Sequence, residues 1–569
     1  MNDVLFVVTE LERPVGGLHR FTVEFASKWK QAVRKPALQL LGFCDPFSQR
    51  EEGLQPAVEY SAFGHKVFFA ERAGQRAVFI EPNVDAAGVD AVQAELWKDY
   101  GVRSLKASSW DYYRALCAFW QAVPEFVEFS RRELNRDFSL VDCQDWLAFP
   151  AGFLCRKKLG IPLHCRFHST EMGRAMGKPD VESAPFSIEV ASLLEADFVQ
   201  GVSVSEAKFL LYNYLPFAQE LANRLAPSKP PGWAAYANRK IEAYQDFLVS
   251  EAQDLVLMGE HAAGIPNGII LADWLTVSKQ DIQQGRQFLK QILPGKRQYI
   301  MFVGRTETRK GIAQLIDAVA MLDDDSVGLV LVSSFAPDAQ ARYEQFIASR
   351  GLAGRVAIHS GWVGEREKKG LFCACDVMAF PSLYEPFGLV CLEGLAADLA
   401  AKRNGLQGPV VVAGATGGLN EILRTGLNGF KAPMEEFDLK PELLLRVLRL
   451  ALKNKASDNS VAGEGAKRVQ DPHFNWATIA RLVAKSYATA VKNFSSRGGL
   501  MKEPEEIFGV NSGKVWLCLK GEGALSISQL KSKAKLSTDE VAGALGWLSR
   551  ENKIYLEDSG KVMKYGLRE

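Results

Sequence analysis

The sequence has no excess of either charge: 68 basic residues face 67 acidic ones among 569, for a formal net charge of +1. That balance excludes the global basic field that draws a protein to nucleic acid, so any anionic partner must be held by local groups. A long apolar run is also missing. Every greasy stretch is interrupted by charges short of the roughly 20 residues that cross a bilayer. Met1-Asn2-Asp3 leads into Val4-Leu5-Phe6-Val7-Val8 with no basic leader and no small-residue cleavage site. The first apolar run therefore reads as a buried strand, and the expectation is a soluble, cytoplasmic chain with no membrane partner. CxxC pairs are absent as well. The nine cysteines, Cys44, Cys117, Cys143 and Cys391 among them, are scattered through apolar surroundings, and the tightest pair, Cys373 and Cys375, has neither the spacing nor the companion pair of a metal site. They read as reduced core residues.

What is present is ample apolar material, 47% of the residues, in a chain too long for one core. Short apolar runs alternate with helix-period segments, the pattern of βαβ units and parallel sheets. Two Rossmann-like domains are expected, over residues 1–275 and 276–495, with a cleft near Ile265 to Gln280. In the first, Val4 to Thr9 is a strand, Gly16-Gly17 a turn, and Phe21, Phe25 and Trp29 the buried stripe of a helix. In the second, Tyr299 to Val303 is a strand, Ile312 to Met321 a helix and Val327 to Val332 the next strand. Residues 206–250 form an aromatic-rich helical elaboration broken by Pro227-Ser228-Lys229-Pro230-Pro231-Gly232. Trp110, Tyr113, Phe119 and Trp120 sit at core spacing and read as packing. Residues 496–504 are a linker by composition, and 505–569 a separate module. There, three short helices, capping-box pairs Ser526/Gln529 and Ser537/Glu540, and a hairpin from Ile554 to Met563 make the pattern of a winged helix.

Four stretches carry chemistry. In Pro381-Ser382-Leu383-Tyr384-Glu385-Pro386-Phe387-Gly388-Leu389-Val390-Cys391-Leu392-Glu393-Gly394, two carboxylates flank a turn that opens a helix. The amides of Gly388 and Leu389 would face a diphosphate or sugar, because unpaired N–H groups and the helix dipole favour negative charge. Glu393, two turns along, is placed to accept from a ribose. In Gly304-Arg305-Thr306-Glu307-Thr308-Arg309-Lys310-Gly311, just after a strand, two fixed cations can clamp a diphosphate. Gly16-Gly17-Leu18 is a glycine turn after the first strand. Asp142-Cys143-Gln144-Asp145-Trp146 and Phe167-His168-Ser169-Thr170-Glu171-Met172-Gly173-Arg174 follow later strands. Asp323-Asp324-Asp325 has the form of a metal-binding DxD, but it joins a helix to a strand far from the other motifs and reads as a solvated turn.

The YEPFGL core with its paired glutamates resembles the glycogen and starch synthases and their relatives among retaining GT-B glycosyltransferases, over roughly residues 1 to 490. The resemblance implies an α/β GT-B fold whose motifs lie at strand ends, where open sheets bind ligands. It implies that Arg305 and Lys310 stabilise the leaving nucleotide in place of a metal, that no cofactor is needed, and that Glu385 holds sugar hydroxyls beside the reacting centre. By the same analogy Asp145 lies beside the acceptor, His168 touches the transferring sugar, and Gly16, Gly17, Phe387, Gly388, Leu389 and Glu393 join Arg305 and Lys310 around the donor. The chain departs from the family at four places. Pro14, with Arg13 beside it, replaces the lysine of KxGGL; Asp142 and Gln144 replace both histidines of HxHDW; Ile270 replaces the aspartate of PNGxD in Ile265-Pro266-Asn267-Gly268-Ile269.

The implied function is an α-1,4-glucan (glycogen) synthase taking glucose from ADP-glucose or UDP-glucose, with a nucleotide-diphosphate sugar as donor and an α-glucan or oligosaccharide as acceptor. The alternatives are another retaining transferase that makes a disaccharide or envelope glycan, and a sugar-nucleotide-sensing regulator acting through the winged helix on DNA. Asp539 and Glu540 open the helix that would meet DNA, which favours protein docking or self-association for that module over DNA binding.

Overall fold

The computed structural model describes residues 2–12, 16–361, 364–457, 460–497, 504–558 and 562–568. The chain divides into two compact units, Met1–Leu221 with Arg239–Phe494, and Ala222–Asn238 with Ser495–Glu569.

The first unit holds two sheets. The N-terminal sheet is built from β1 (Asp3–Val8), β2 (Leu38–Phe43), β3 (Gln55–Pro56), β4 (Lys66–Arg72), β5 (Gln75–Glu81), β6 (Phe138–Gln144), β7 (Leu163–Phe167), β8 (Phe198–Gly201), β9 (Leu257–Met258) and β10 (Ala262–Gly264), in the order β3-β4-β5-β2-β1-β6-β7-β8-β10-β9. Its centre is parallel, as fully apolar runs such as Val4 to Val8 require when helices cover both faces. The order reverses between β1 and β6. The second sheet comprises β11 (Gln298–Val303), β12 (Val327–Ser333), β13 (Val356–Ser360), β14 (Val377–Phe380), β15 (Val410–Gly414) and β16 (Phe430–Ala432), all parallel, in the order β13-β12-β11-β14-β15-β16. This is the doubly wound Rossmann order, and it reverses between β11 and β14. The fold is α/β GT-B. Eight of the nine cysteines are buried, and among the described residues no helix is long and apolar enough to cross a membrane.

The expected division at residue 275 differs from the packing observed. The helix Trp476–Arg497 returns to the first sheet, where Trp476, Ile479, Ala480, Val483, Tyr487 and Ala490 share a core with Phe6, Phe21 and Phe25. The two crossings of the chain run side by side: Ile269 N donates to Phe474 O at 2.9 Å, and a Cβ on Gly268 would fall 2.7 Å from the Trp476 ring. The same helix runs through Arg497, so Ser496 and Arg497 are helical where a linker was expected. His164 fixes this helix by bonding Asp142 Oδ1 at 2.8 Å and Ser486 Oγ at 3.1 Å. The order Ser–His–Asp is that of a hydrolase, but all three side chains are fully buried and serve as a sealed polar pin.

Asp324 accepts from Ser326 N at 2.9 Å and Ser326 Oγ at 2.6 Å, closing the turn between helix Ile312–Ala320 and β12. Helices Val204–Leu225 and Trp233–Val249 make up the elaboration, and its tip, Ala222–Asn238, belongs to the second unit. That unit's C-terminal part has helices Pro504–Glu522, Ile527–Ala534 and Thr538–Arg550 with a three-stranded sheet of β17 (Leu525–Ser526), β18 (Ile554–Asp558) and β19 (Met563–Leu567), ordered β17-β19-β18. Both capping boxes form, and Val515, Leu519, Leu530, Leu545 and Leu548 fill the core. The tip of the expected hairpin lies outside the described residues.

Candidate active site

The reversal points of the two sheets place the motifs. The loop Gly304 to Gly311 leaves β11 and the turn Pro381 to Gly388 leaves β14, at the crevice that a doubly wound sheet opens beyond its strand ends. The two loops touch through glycine. Gly311 has φ +70°, and a Cβ there would lie 1.9 Å from the Pro381 carbonyl oxygen. Gly417 has φ +45°, with a Cβ position 2.0 Å from the Glu385 carbonyl oxygen. Leu383 N donates to Arg309 O at 2.7 Å, and Gly418 N to Glu385 O at 3.1 Å. This approach lets Lys310 Nζ donate to Glu385 Oε2 at 2.5 Å, with Ser382 Oγ donating to the same oxygen at 3.2 Å.

Arg305 is more than half exposed and bears a 3.3 Å ion pair to Glu307. Its Nη2 lies 3.2 Å from the position of a Cβ on Gly16, so the glycine turn of the first domain and the cationic loop of the second face each other. Gly16, at φ +99°, immediately precedes the helix Gly17–Ala32. Arg13 and Pro14 lie outside the described residues. Gly388, at φ +103°, opens the helix Leu389–Arg403 with no side-chain cap, which leaves the first-turn amides and the dipole to act on an anion. Phe387 turns its ring into the core beside Phe474, centroids 6.4 Å apart, so only its main chain can serve a donor.

Glu393 lies on the helix Leu389–Arg403, in its second turn. Its buried carboxylate already accepts from Arg20, on the first turn of helix Gly17–Ala32, and from Lys368 Nζ at 3.1 Å. Burial, and then the neighbouring Arg20, hold the Lys368 ammonium below its ordinary pKa. A ribose reaching Glu393 meets a carboxylate already engaged by two cations.

On the first domain, Asp145 follows β6 at φ +58° and its Oδ1 accepts from His168 N at 2.6 Å. Burial raises the Asp145 carboxyl to about 7 against the pull of Arg174. His168 packs its ring edge-on to Phe21, centroids 4.4 Å apart, and shares a 3.0 Å hydrogen bond between Nε2 and Gln144 Oε1. Burial, with Arg166 nearby, lowers its pKa to about 3, so the imidazole is neutral at physiological pH. A neutral imidazole next to a carboxylate that titrates near neutrality can orient hydroxyl groups without imposing a fixed charge.

The two halves meet through a residue that sequence reasoning passed over. Tyr384 lies across Gly173, whose Cβ would strike its ring at 2.0 Å, and its hydroxyl accepts from Thr170 N at 2.9 Å. Arg20, Lys368 and Tyr384 had one signal each: a cation one turn past Gly-Gly, a cation on a helix otherwise unassigned, and an aromatic adjacent to a motif glutamate. None of these announces its partner, which is 25 positions away for Lys368, 373 for Arg20 and 214 for Tyr384.

Residues 283–468 match the glycosyl transferases group 1 family, and residues 501–564 match the winged helix-turn-helix domain (DUF2582). The chain carries a group 1 glycosyltransferase domain. It is 24% identical over 357 residues to an uncharacterized glycosyltransferase of Methanocaldococcus jannaschii, covering 62% of this chain and 76% of that protein. To the glycogen synthase of Mycobacterium tuberculosis it is 26% identical over 279 residues, 46% of this chain and 60% of the relative's length. The catalytic domain of starch synthase IV from Arabidopsis thaliana, bound to ADP and acarbose, superposes with a TM-score of 0.57 at 16% identity, over 86% of this chain and 99% of that one. The group 1 glycosyltransferase domain contains Arg305, Lys310, Glu385, Gly388 and Glu393, whereas Gly16, Asp145 and His168 belong to the preceding half.

Proposed function

We propose that the chain transfers glucose, with retained configuration, from ADP-glucose or UDP-glucose to the non-reducing end of an α-glucan. The observation that carries this reading is the Lys310–Glu385 contact of 2.5 Å at the sheet reversal. It places a cation, suited to a departing diphosphate, against a carboxylate suited to a sugar whose anomeric carbon becomes cationic. Arg305 supplies the second cation, and the helix opening at Gly388 adds amide donors. The bond from the anomeric carbon to the nucleoside diphosphate breaks and the diphosphate leaves toward these groups, while the acceptor hydroxyl attacks from the same face and gives its proton to the departing phosphate oxygen, so the configuration is kept. Asp145 lies on the acceptor side, and His168 touches the transferring glucose. A glucan acceptor is favoured by the YEPFGL and HSTE segments, and it accords with the glycogen synthase and starch synthase among the similar proteins. The test is release of UDP or ADP from each glucose donor, with glycogen against small sugars as acceptors. Glycogen-dependent release supports the proposal; release only with small acceptors indicates a disaccharide or envelope-glycan transferase.

For the C-terminal module we propose protein docking or self-association. Asp539 and Glu540 occupy the first turn of helix Thr538–Arg550, where a DNA-reading helix would meet phosphates and bases.

A further inference from the structure

The first turn of the helix Val204–Leu225 has no role in the reading above, yet it touches the Glu385 turn on both sides. Ser203 Oγ donates to the Pro386 carbonyl at 2.7 Å. The Tyr384 hydroxyl donates to Glu206 Oε1 at 2.5 Å. The contact is reciprocated from the second domain: Glu421 accepts from Ser205 N at 2.6 Å and Val204 N at 3.3 Å, capping the helix from outside. Ser203 and Glu206 are fully buried, so neither bond competes with bulk water. Glu385 thus lies between two neighbours, each tied to the same helix turn of the first domain, while its own carbonyl is held by Gly418 N at 3.1 Å. Three successive residues are anchored and only the Glu385 side chain projects toward Lys310.

We propose that Glu206, with Ser203, is a positioning residue that sets the Glu385 carboxylate for transfer. Its partner is the Tyr384 phenol, and its effect on the reaction passes through the adjacent Glu385. The proposal rests on the reading of Glu385 as the sugar-side carboxylate. Geometry supplies its force. Removing the Glu206 acceptor leaves the buried phenol proton only the Thr170 hydroxyl, 3.2 Å away, so Tyr384 must turn and shift to reach it, and displacement of a catalytic group by roughly 1 Å costs on the order of a hundredfold in rate.

The experiment measures kcat and KM for UDP-glucose and ADP-glucose with glycogen on the full chain carrying Glu206→Ala, Glu206→Gln, Ser203→Ala, Glu385→Gln and the double change Glu206→Ala/Glu385→Gln. Glu206→Ala is expected to lower kcat about tenfold to a hundredfold with KM for the donor little changed. Glu206→Gln retains an oxygen that accepts the phenol proton and is expected to restore most of the turnover. The double variant is expected to be no slower than Glu385→Gln alone, because the two residues act as one unit. Near-normal kcat in Glu206→Ala, or losses that multiply in the double variant, overturns the positioning role while leaving the transferase reading intact. Near-normal kcat in Glu385→Gln overturns the transferase reading first. Should Glu206→Ala fail to fold, Ser203→Ala removes one side-chain bond to the same turn and decides the matter: a fall in kcat at constant KM supports the proposal, and wild-type kcat refutes it.

Discussion

Substituting Gly311 by alanine tests whether two loops must touch for the site to exist. Gly311 and Gly295 both have left-handed backbones, at φ +70° and +77°, but the Cβ position at Gly295 meets nothing within 4 Å while that at Gly311 lies 1.9 Å from the Pro381 carbonyl oxygen. Both alanine variants carry the strain of a left-handed L-residue, about 1–2 kcal/mol. Only Gly311→Ala adds a collision with main chain, worth about 1–3 kcal/mol as overpacking. Because that obstacle is a carbonyl and not a flexible side chain, relief requires the cationic loop and the Pro381 turn to separate by roughly 1 Å, and such a displacement between reacting groups costs on the order of a hundredfold. Gly295→Ala is therefore expected to lower the melting temperature with turnover intact, and Gly311→Ala to lower it further and to reduce nucleotide release from the sugar donor about a hundredfold. Paired melting curves and release rates make the comparison. Equal melting losses with equal turnover in the two variants would refute the claim that this contact sets the site.

Three further outcomes are expected. Glu385→Gln, Lys310→Ala and Arg305→Ala should each lower turnover by about a hundredfold or more, with activity unaffected by EDTA; activity lost to chelator and restored by magnesium would sink the role given to the two cations. Burial raises Asp145 to about 7 and Glu189 and Glu206 to about 8, so the folded state holds protons that the unfolded chain releases above the ordinary carboxylate range, and stability should fall as pH rises through about 8. Melting temperatures across pH 5 to 9 measure this, and Glu206→Gln should flatten the decline. Deleting residues 500–569 should preserve sugar transfer while changing the mass seen by light scattering. Tight DNA binding by the full chain that weakens steeply with salt would instead favour the regulator reading.

Much of this was legible in the sequence because it is local. Apolar runs such as Val4 to Val8 and Tyr299 to Val303 are strands, and each motif falls at or just past the end of such a run, so the strand ends show which segments carry the chemistry. Ser526/Gln529 and Ser537/Glu540 are capping boxes because their partners lie three residues apart. What escaped is long-range. The helix Trp476–Arg497 has one apolar face, and nothing in that face says which of two similar cores it joins. The spacing of Glu393 from Glu385 is visible in the sequence, whereas its bond to Arg20 spans 373 positions. Glu206 gave no signal at all, since a glutamate in the first turn of a helix is ordinary and only the folded chain brings it to Tyr384.

The return of helix Trp476–Arg497 also sets the timing of folding during synthesis. A nascent chain ordinarily completes its N-terminal domain while later segments are still being made. Here the core around Phe6, Phe21 and Phe25 lacks Trp476, Tyr487 and Ala490 until nearly the whole transferase region has emerged. At ribosomal rates of about 5–20 residues per second, an N-terminal half translated through Ile265 waits on the order of tens of seconds for that final helix. During this interval, part of an apolar face on the first sheet is bare.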